Sequence, residues 1–293
     1  MSAEKGLFWL ASYPKSGNTW FRIVLANLLN TSTNPVDLNQ INTGVIASAR
    51  SWIDEALGFD SVCLNHDELD QLRPIIYKWH SEQCNQVGYH KIHDAYMFVD
   101  NGLPMIPSEG CLGAVYFIRN PLDVAISFAH HSRCSIDQAI ENMGNEKFAF
   151  CKDKYRQHNQ LRQCLLSWSL HVQSWVTAQD IKVLVLRYED MKQDPLPTFT
   201  KAVEFFQLGS SQTDIARALD NASIEKLQQQ EDASGFSEKP AKIDRFFRKG
   251  IVGEWRNTLT SAQVNQIIRD HGDMMQQYGY LDLEFGQVRS RVL

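Results

Sequence analysis

Apolar residues along the chain fall into short runs, each closed by a polar loop and followed by a segment of helical period. Leu7 to Ala11 is the first run; a polar turn follows it, and Trp20 to Leu29 is mostly apolar and long enough for a helix. Leu112 to Ile118 is continuously apolar, the pattern of a central parallel strand covered on both faces. It ends in Arg119-Asn120-Pro121-Leu122-Asp123, which reads as a helix start with Asn120 as N-cap, Pro121 first and Asp123 third. Ile181 to Leu186 is a further strand, ending in Arg187-Tyr188-Glu189-Asp190, with a helix expected over 195–207. Val87 to His93 adds a short strand carrying Lys91 and His93. Strand, polar loop and helix repeated in this order predict an α/β fold with a central, mainly parallel sheet flanked by helices. The polar strand ends then gather at the carboxyl edge of the sheet.

Residues 30–50 are rich in Asn, Thr, Ser and Pro and read as irregular. Short helical pieces follow to about 85, the best of them Asp67 to His80, interrupted at Pro74. The stretch 30–85 is expected to be an insert that shapes access to an acceptor. Leu161, Leu165, Trp168, Val172, Trp175 and Val176 recur at helical spacing and predict an amphipathic helix over 159–178, its tryptophans in the core. Helices are also predicted at 212–220, 223–231 and 261–278. A polar, charged segment around 232–250 reads as a mobile lid. With no internal repeat, residues 1–293 are expected to form a single domain.

Composition narrows the class. The 43% hydrophobic and 22% charged fractions are those of a soluble globular protein. A net charge of -5, from 29 basic and 34 acidic residues, argues against a bulk nucleic-acid partner. No apolar run is long enough for a membrane span or a secretory leader, so a cytoplasmic protein is expected. The six cysteines lie at least thirteen residues apart and no His-Glu-x-x-His frame occurs, so thiols in a reducing compartment and no metal are expected.

The densest chemistry lies in Ser12-Tyr13-Pro14-Lys15-Ser16-Gly17-Asn18-Thr19-Trp20. A tight loop between a strand and a helix turns backbone N–H groups and the positive end of the helix dipole toward an anion. Lys15 adds a mobile charge, and Ser16 and Thr19 add hydroxyl donors. The loop is not a Walker A sequence, because Lys15 precedes the single glycine. An ordinary strand–helix turn with an exposed lysine is the alternative. Arg119 and Ser127, with Arg248 and Lys249, form a second cationic set suited to another phosphate. His93 has the proton affinity of a general base near neutral pH, with a structural histidine as its alternative. Phe59, Trp79, Tyr96, Phe98, Phe128, His130 and Phe148 are candidate pocket-lining side chains, with core packing as theirs.

These segments together carry a resemblance. Tyr13-Pro14-Lys15-Ser16-Gly17-Asn18-Thr19-Trp20 resembles the 5′-phosphosulfate loop of the sulfotransferases that use 3′-phosphoadenosine 5′-phosphosulfate (PAPS). Arg119 to Ser127 is similar to their 3′-phosphate segment, and Lys91-Ile92-His93 to their Lys-x-His. Arg187-Tyr188-Glu189-Asp190-Met191 and Arg248-Lys249-Gly250-Ile251-Val252-Gly253-Glu254-Trp255 also match, and all fall in the family's order. The flavour is that of the soluble members, especially bacterial ones acting on small molecules or natural products.

The resemblance implies the P-loop-like sulfotransferase fold and transfer of a sulfuryl group from PAPS to a hydroxyl of a small organic acceptor, leaving the doubly phosphorylated product PAP and requiring no metal. It implies that Lys15 neutralises the leaving phosphate, that His93 deprotonates the acceptor and that Lys91 helps with the transferring group. Ser16, Gly17, Asn18 and Thr19 would hold the 5′-phosphate. Arg119, Ser127, Arg248, Lys249 and Gly250 would hold the 3′-phosphate, and Trp20, Tyr188, Ser223 and Ile224 would surround the adenine. Departures are Asn18 for a common threonine, Ile224 for a stacking phenylalanine, and Asp94-Ala95-Tyr96 for the usual Leu-Pro, which points to a remodelled acceptor pocket. Arg256 to Ser261 only loosely matches the family's dimerisation segment, leaving monomer and homodimer open. A nucleotide-dependent phosphotransferase and a non-catalytic nucleotide-binding protein are the alternatives.

Overall fold

The computed structural model describes residues 5–30, 32–153, 158–240 and 243–281. Strand β1 (Gly6–Ser12) is buried along its whole length. It pairs in parallel with β2 (Val87–Ile92) on one side and β3 (Cys111–Ile118) on the other. With β6 (Val183–Arg187) the order is β2-β1-β3-β6, a central sheet whose apolar strands need cover on both faces. The remaining strands, β4 (Ala149–Phe150) and β5 (Gln163–Cys164), make a separate antiparallel pair.

The helices are α1 (Asn18–Leu29), α2 (Arg50–Leu57), α3 (His66–Gln83), α4 (Pro121–Ser132), α5 (Ile136–Gly144) and α6 (Trp168–Val176). They continue with α7 (Tyr188–Gln193), α8 (Pro195–Phe205), α9 (Gln212–Asn221), α10 (Ile224–Ser234) and α11 (Ser261–Gln277). Contacts divide the chain into two compact units, each assembled from separated segments. The first holds residues 1–13, 43–117 and 145–185; the second holds 14–42, 118–144 and 186–293.

In the first unit, Trp9 of β1 meets Tyr77 of α3, ring centroids 5.1 Å apart, and Tyr116 of β3 stacks on Trp175 of α6 at 6.1 Å. Such aromatic contacts cover the sheet with large apolar area. Helix α3 runs unbroken through Pro74, contrary to the interruption expected there. Proline forgoes one backbone bond and strains its helix, but Arg73 beside it is fully buried and tied to Asp94 by two bonds, at 2.6 and 3.0 Å. Tyr77 one turn on accepts from Arg73 Nε at 2.8 Å, so tertiary pairing holds this turn helical.

The helix expected over 159–178 is half that length. Gln163 and Cys164 pair as a strand with Phe150 and Ala149, and Leu166 has φ 59°, so α6 begins only at Trp168 behind the Ser167 N-cap. Leu161 and Leu165 are nevertheless buried, as are Trp168 and Trp175. Their helix-like spacing records burial in two different local structures.

In the second unit, α4 begins as its sequence predicts: Asn120 Oδ1 accepts from Leu122 N at 3.0 Å, with Pro121 in the first turn. The fully buried Glu189 accepts from Asn120 N at 3.0 Å and from the Tyr280 hydroxyl at 2.9 Å, joining the end of β3 to the C-terminal segment. Segment 232–250 contains Ala241 and Lys242, which lie outside the described residues.

Candidate functional site

The second unit gathers most of the residues singled out by sequence. The β1–α1 loop puts Lys15 at φ 73° and Gly17 at φ 97°, in the left-handed region. For a lysine this backbone is costly, and such strain persists where the surroundings over-determine it. Gly17 is required by contact as well: a Cβ there would lie 2.6 Å from the Tyr188 ring. No side chain caps the N-terminus of α1, so its first-turn N–H groups, which have no acceptor within the helix, face the loop.

Arg119 at the end of β3 is buried and donates to the Lys15 carbonyl at 3.1 Å and to the Ile251 carbonyl at 3.3 Å. Its guanidinium also lies 4.4 Å from the centroid of the Tyr188 ring. One arginine thereby ties together the β1–α1 loop, the Tyr188 segment and the segment after Gly250. Trp20 donates from Nε1 to the Ala222 carbonyl at 2.9 Å and meets Tyr188 edge-on at 6.4 Å. Ile224 and the Tyr188 hydroxyl both approach Gly250, at 3.6 and 3.9 Å from where its Cβ would be. Ser223 precedes α10 but makes no capping bond with its side chain. Ser127 is half-buried on α4, three residues from the exposed His130.

The segment holding Arg248, Lys249 and Gly250 is tethered at many points. Glu231 of α10 accepts from Phe246 N and Phe247 N at 2.7 and 3.0 Å, and Gln228 Nε2 donates to the carbonyls of Phe247 and Arg248 at 2.8 and 2.9 Å. Asp123 of α4 accepts from Gly253 N at 2.7 Å and Trp255 N at 3.0 Å. Phe246 supports Lys15, whose Nζ lies 4.6 Å from the centre of its ring. The pKa of His130 is lowered first by its partial burial and then by Arg248, Lys15 and Arg133, with Asp244 opposing, so positive charge predominates around it. Ser16 Oγ and Arg119 Nε are buried and have no hydrogen-bond partner among the described residues. Buried donors without acceptors are expensive; an anion with several oxygens, in this positive field, fits both.

In the first unit, His93 lies one residue beyond β2 and is held by β1. Its Nδ1 is 2.8 Å from the Ser12 carbonyl oxygen and 3.3 Å from Ser12 Oγ. A carbonyl only accepts, so Nδ1 carries the proton and Nε2 is the unprotonated nitrogen of the neutral ring. Lys91 lies in β2, its backbone carbonyl accepting from Ala47 N at 2.8 Å. Of the candidate pocket residues, Phe128 is completely buried and Tyr96 nearly so, packed on Trp175 at 5.5 Å; both belong to the core. Phe59, Trp79 and Phe98 are about half exposed.

A family model described as "Sulfotransferase domain" matches residues 6–279. The chain belongs to the PAPS-dependent sulfotransferase family. It is 25% identical over 278 residues to the flavonol 3-sulfotransferase of Flaveria bidentis, covering 88% of this chain and 78% of that protein. Mouse sulfotransferase SULT7A1 complexed with PAP superposes with a TM-score of 0.59 at 19% identity, over 94% of this chain and 87% of that one. Retinol dehydratase in complex with androsterone and PAP gives 0.59 at 17% identity, over 92% and 80%. At those identities the likeness establishes the sulfotransferase fold.

In this sulfotransferase, residues that pattern reading assigned no role stand against those it named. Glu254 accepts from Arg248 Nη1 and from Lys249 Nζ, both at 2.7 Å. Lys192 lies with its Nζ 4.7 Å from the Trp20 ring, and burial lowers its pKa. Ser12 and Glu254 both stand inside the quoted motifs, a signal that was legible; Lys192, Gln228 and Glu231 had none. Among the described residues, no group of three or more His, Cys, Asp or Glu is placed to hold a metal ion. No helix among them is long and apolar enough to cross a membrane.

Proposed function

We propose that this sulfotransferase moves the sulfuryl group of PAPS to a hydroxyl of a small organic acceptor by in-line displacement, with His93 as general base. The observation that carries this reading is the bond from His93 Nδ1 to the Ser12 carbonyl, which makes Nε2 the basic nitrogen. Nε2 takes the acceptor's proton as the acceptor oxygen bonds to sulfur and the bridging sulfur–oxygen bond to the 5′-phosphate breaks. The electron pair of that bond stays on the phosphate, where Lys15 and the α1 N–H groups balance the charge. Lys91 is proposed to assist at the transferring group. PAPS supplies an activated sulfuryl group on a good leaving phosphate, so the protein contributes position and electrostatics.

The 5′-phosphate is assigned to Ser16, Gly17, Asn18 and Thr19, and the 3′-phosphate to Arg119, Ser127, Arg248, Lys249 and Gly250. The buried donors Ser16 Oγ and Arg119 Nε support both assignments. Trp20, Tyr188, Ser223 and Ile224 are assigned to the adenine. The acceptor is read as an apolar, hydroxyl-bearing molecule. Support comes from a relative named for flavonol and a structural neighbour holding androsterone.

The test is mass spectrometry of phenols, flavonols and steroid alcohols incubated with PAPS, beside ATP and magnesium. A gain of one sulfate that depends on PAPS is expected. No sulfated product across the panel, with PAP still bound tightly, would favour a non-catalytic nucleotide-binding protein. His93→Ala is expected to lower kcat by about 10²–10⁴-fold while PAP affinity stays within twofold; turnover within a fewfold of the parent removes His93 as the base.

A further inference from the structure

The main chain of His93 is held from behind by a buried pair whose hydrogen-bond polarity is fully determined. His171 of α6 places Nε2 3.0 Å from the His93 carbonyl oxygen. Because that oxygen only accepts, Nε2 carries the proton, and Nδ1 of the neutral ring is an acceptor. The Tyr116 hydroxyl stands 2.8 Å from that Nδ1, and so it donates. The relay therefore runs one way, from the Tyr116 hydroxyl to His171 and from His171 to the His93 carbonyl. His171 is completely buried and Tyr116 equally so. Tyr13 meets the His171 ring edge-on at 5.4 Å, and Tyr116 lies 5.7 Å from it, so two aromatic rings pack against the imidazole.

Burial lowers the His171 pKa to about 4, with the His93 carbonyl and the charge of Asp94 opposing, so the ring is neutral at working pH. The next residue is pinned in the same manner: Trp175 Nε1 donates to the Asp94 carbonyl at 3.0 Å, and the Asp94 carboxylate is held by Arg73 and by Cys164 N. The ring of His93, in turn, is tied to Ser12 on β1.

We infer that His171, oriented by Tyr116, is a positioning residue for the sulfuryl-transfer step, fixing the backbone of His93 so that its ring keeps the tautomer with a basic Nε2. This rests on the reading of His93 as the base. The ring of His93 is fastened at Ser12 and its carbonyl at His171. Removing the second lets the peptide unit rotate and loosens the aim of Nε2, where a misplacement of about 1 Å costs on the order of 100-fold in rate.

The test compares His171→Leu, His171→Gln and Tyr116→Phe with the parent. Histidine-¹⁵N NMR of each full-length protein reports the His93 tautomer directly, without an acceptor. The parent is expected to show a single Nδ1–H form, and His171→Leu an averaged or mixed signal. His171→Gln, which can still donate to the carbonyl, is expected to restore much of the parent signal. With an acceptor found in the panel above, His171→Leu is expected to lower kcat by about 10–100-fold at unchanged KM for PAPS. Should His171→Leu fail to fold, Tyr116→Phe is expected to give the same NMR change and a smaller drop in kcat.

A parent-like His93 signal, or kcat within twofold of the parent, in His171→Leu (or in Tyr116→Phe where His171→Leu does not fold) overturns the inference. His93→Ala separates the two readings. If that variant keeps its turnover, the base assignment falls and the inference with it; if it is dead while His171→Leu is active, only the inference falls.

Discussion

Glu254 grips Arg248 at both ends of its guanidinium, Oε1 with Nη1 at 2.7 Å and Oε2 with Nη2 beside it, and it holds Lys249 as well. These are the two cations assigned to the 3′-phosphate, already facing an internal anion. The pairing pulls the Glu254 pKa down to about 2 against the cost of its burial, so the carboxylate is charged throughout the neutral range. On the proposed assignment, the 3′-phosphate then shares or takes over its partners.

Neutralising Glu254 follows as the first prediction. Glu254→Gln is expected to tighten PAP binding by about two- to fivefold, the size of a partly exposed ion pair, and to leave 5′-AMP binding unchanged. Isothermal titration calorimetry with both nucleotides measures it. Weaker PAP binding instead would mean that Glu254 orients the two cations rather than competing for them.

Gly17 is the second point of leverage. Alanine there has to adopt φ 97° and places its Cβ 2.6 Å from a Tyr188 ring atom, so the ring has to move. Gly17→Ala is expected to lower the affinity for both PAP and 5′-AMP by at least about tenfold, since backbone strain and a core-type clash each cost on the order of 1–3 kcal/mol. Parent-like affinity in a titration would remove Tyr188 and the loop from the nucleotide site.

Acid should unfold the protein partly through buried histidines. Burial lowers the His271 pKa to about 4, with Asp270 opposing. The unfolded chain binds that proton below about pH 6.5, and the folded chain only near pH 4. Stability from this group is therefore complete above 6.5 and is lost as pH falls toward 4. Urea unfolding at pH 7 and pH 5 is expected to show His271→Leu losing about 2 kcal/mol less than the parent between the two. Equal losses would mean that His271 is protonated in both states or in neither.

Local features are legible in the sequence alone. The Asn120-Pro121 helix start, the β1–α1 loop with its glycine and the buried strand Leu112 to Ile118 are short-range matters of capping, steric freedom and apolar runs. The motifs named the residues proposed to hold the nucleotide, and the second unit brings Lys15, Arg119, Tyr188 and the segment from Arg248 to Gly250 into one network. The spacing over 159–178 predicts one helix where the chain forms a shorter one, because an apolar period of 3.6 says which residues are buried, and Leu161 and Leu165 are buried without a helix.

By itself the sequence determined the family, the α/β class, and which residue types stand at each strand end, because those depend on neighbours a few positions away. Tertiary structure decided the states of the chemical groups. The proton on His93 is set by Ser12, 81 residues earlier, and the His93 carbonyl is held by His171, 78 residues later. No local pattern foretells such pairs, since a buried imidazole takes its tautomer from whichever acceptor the fold brings within 3 Å.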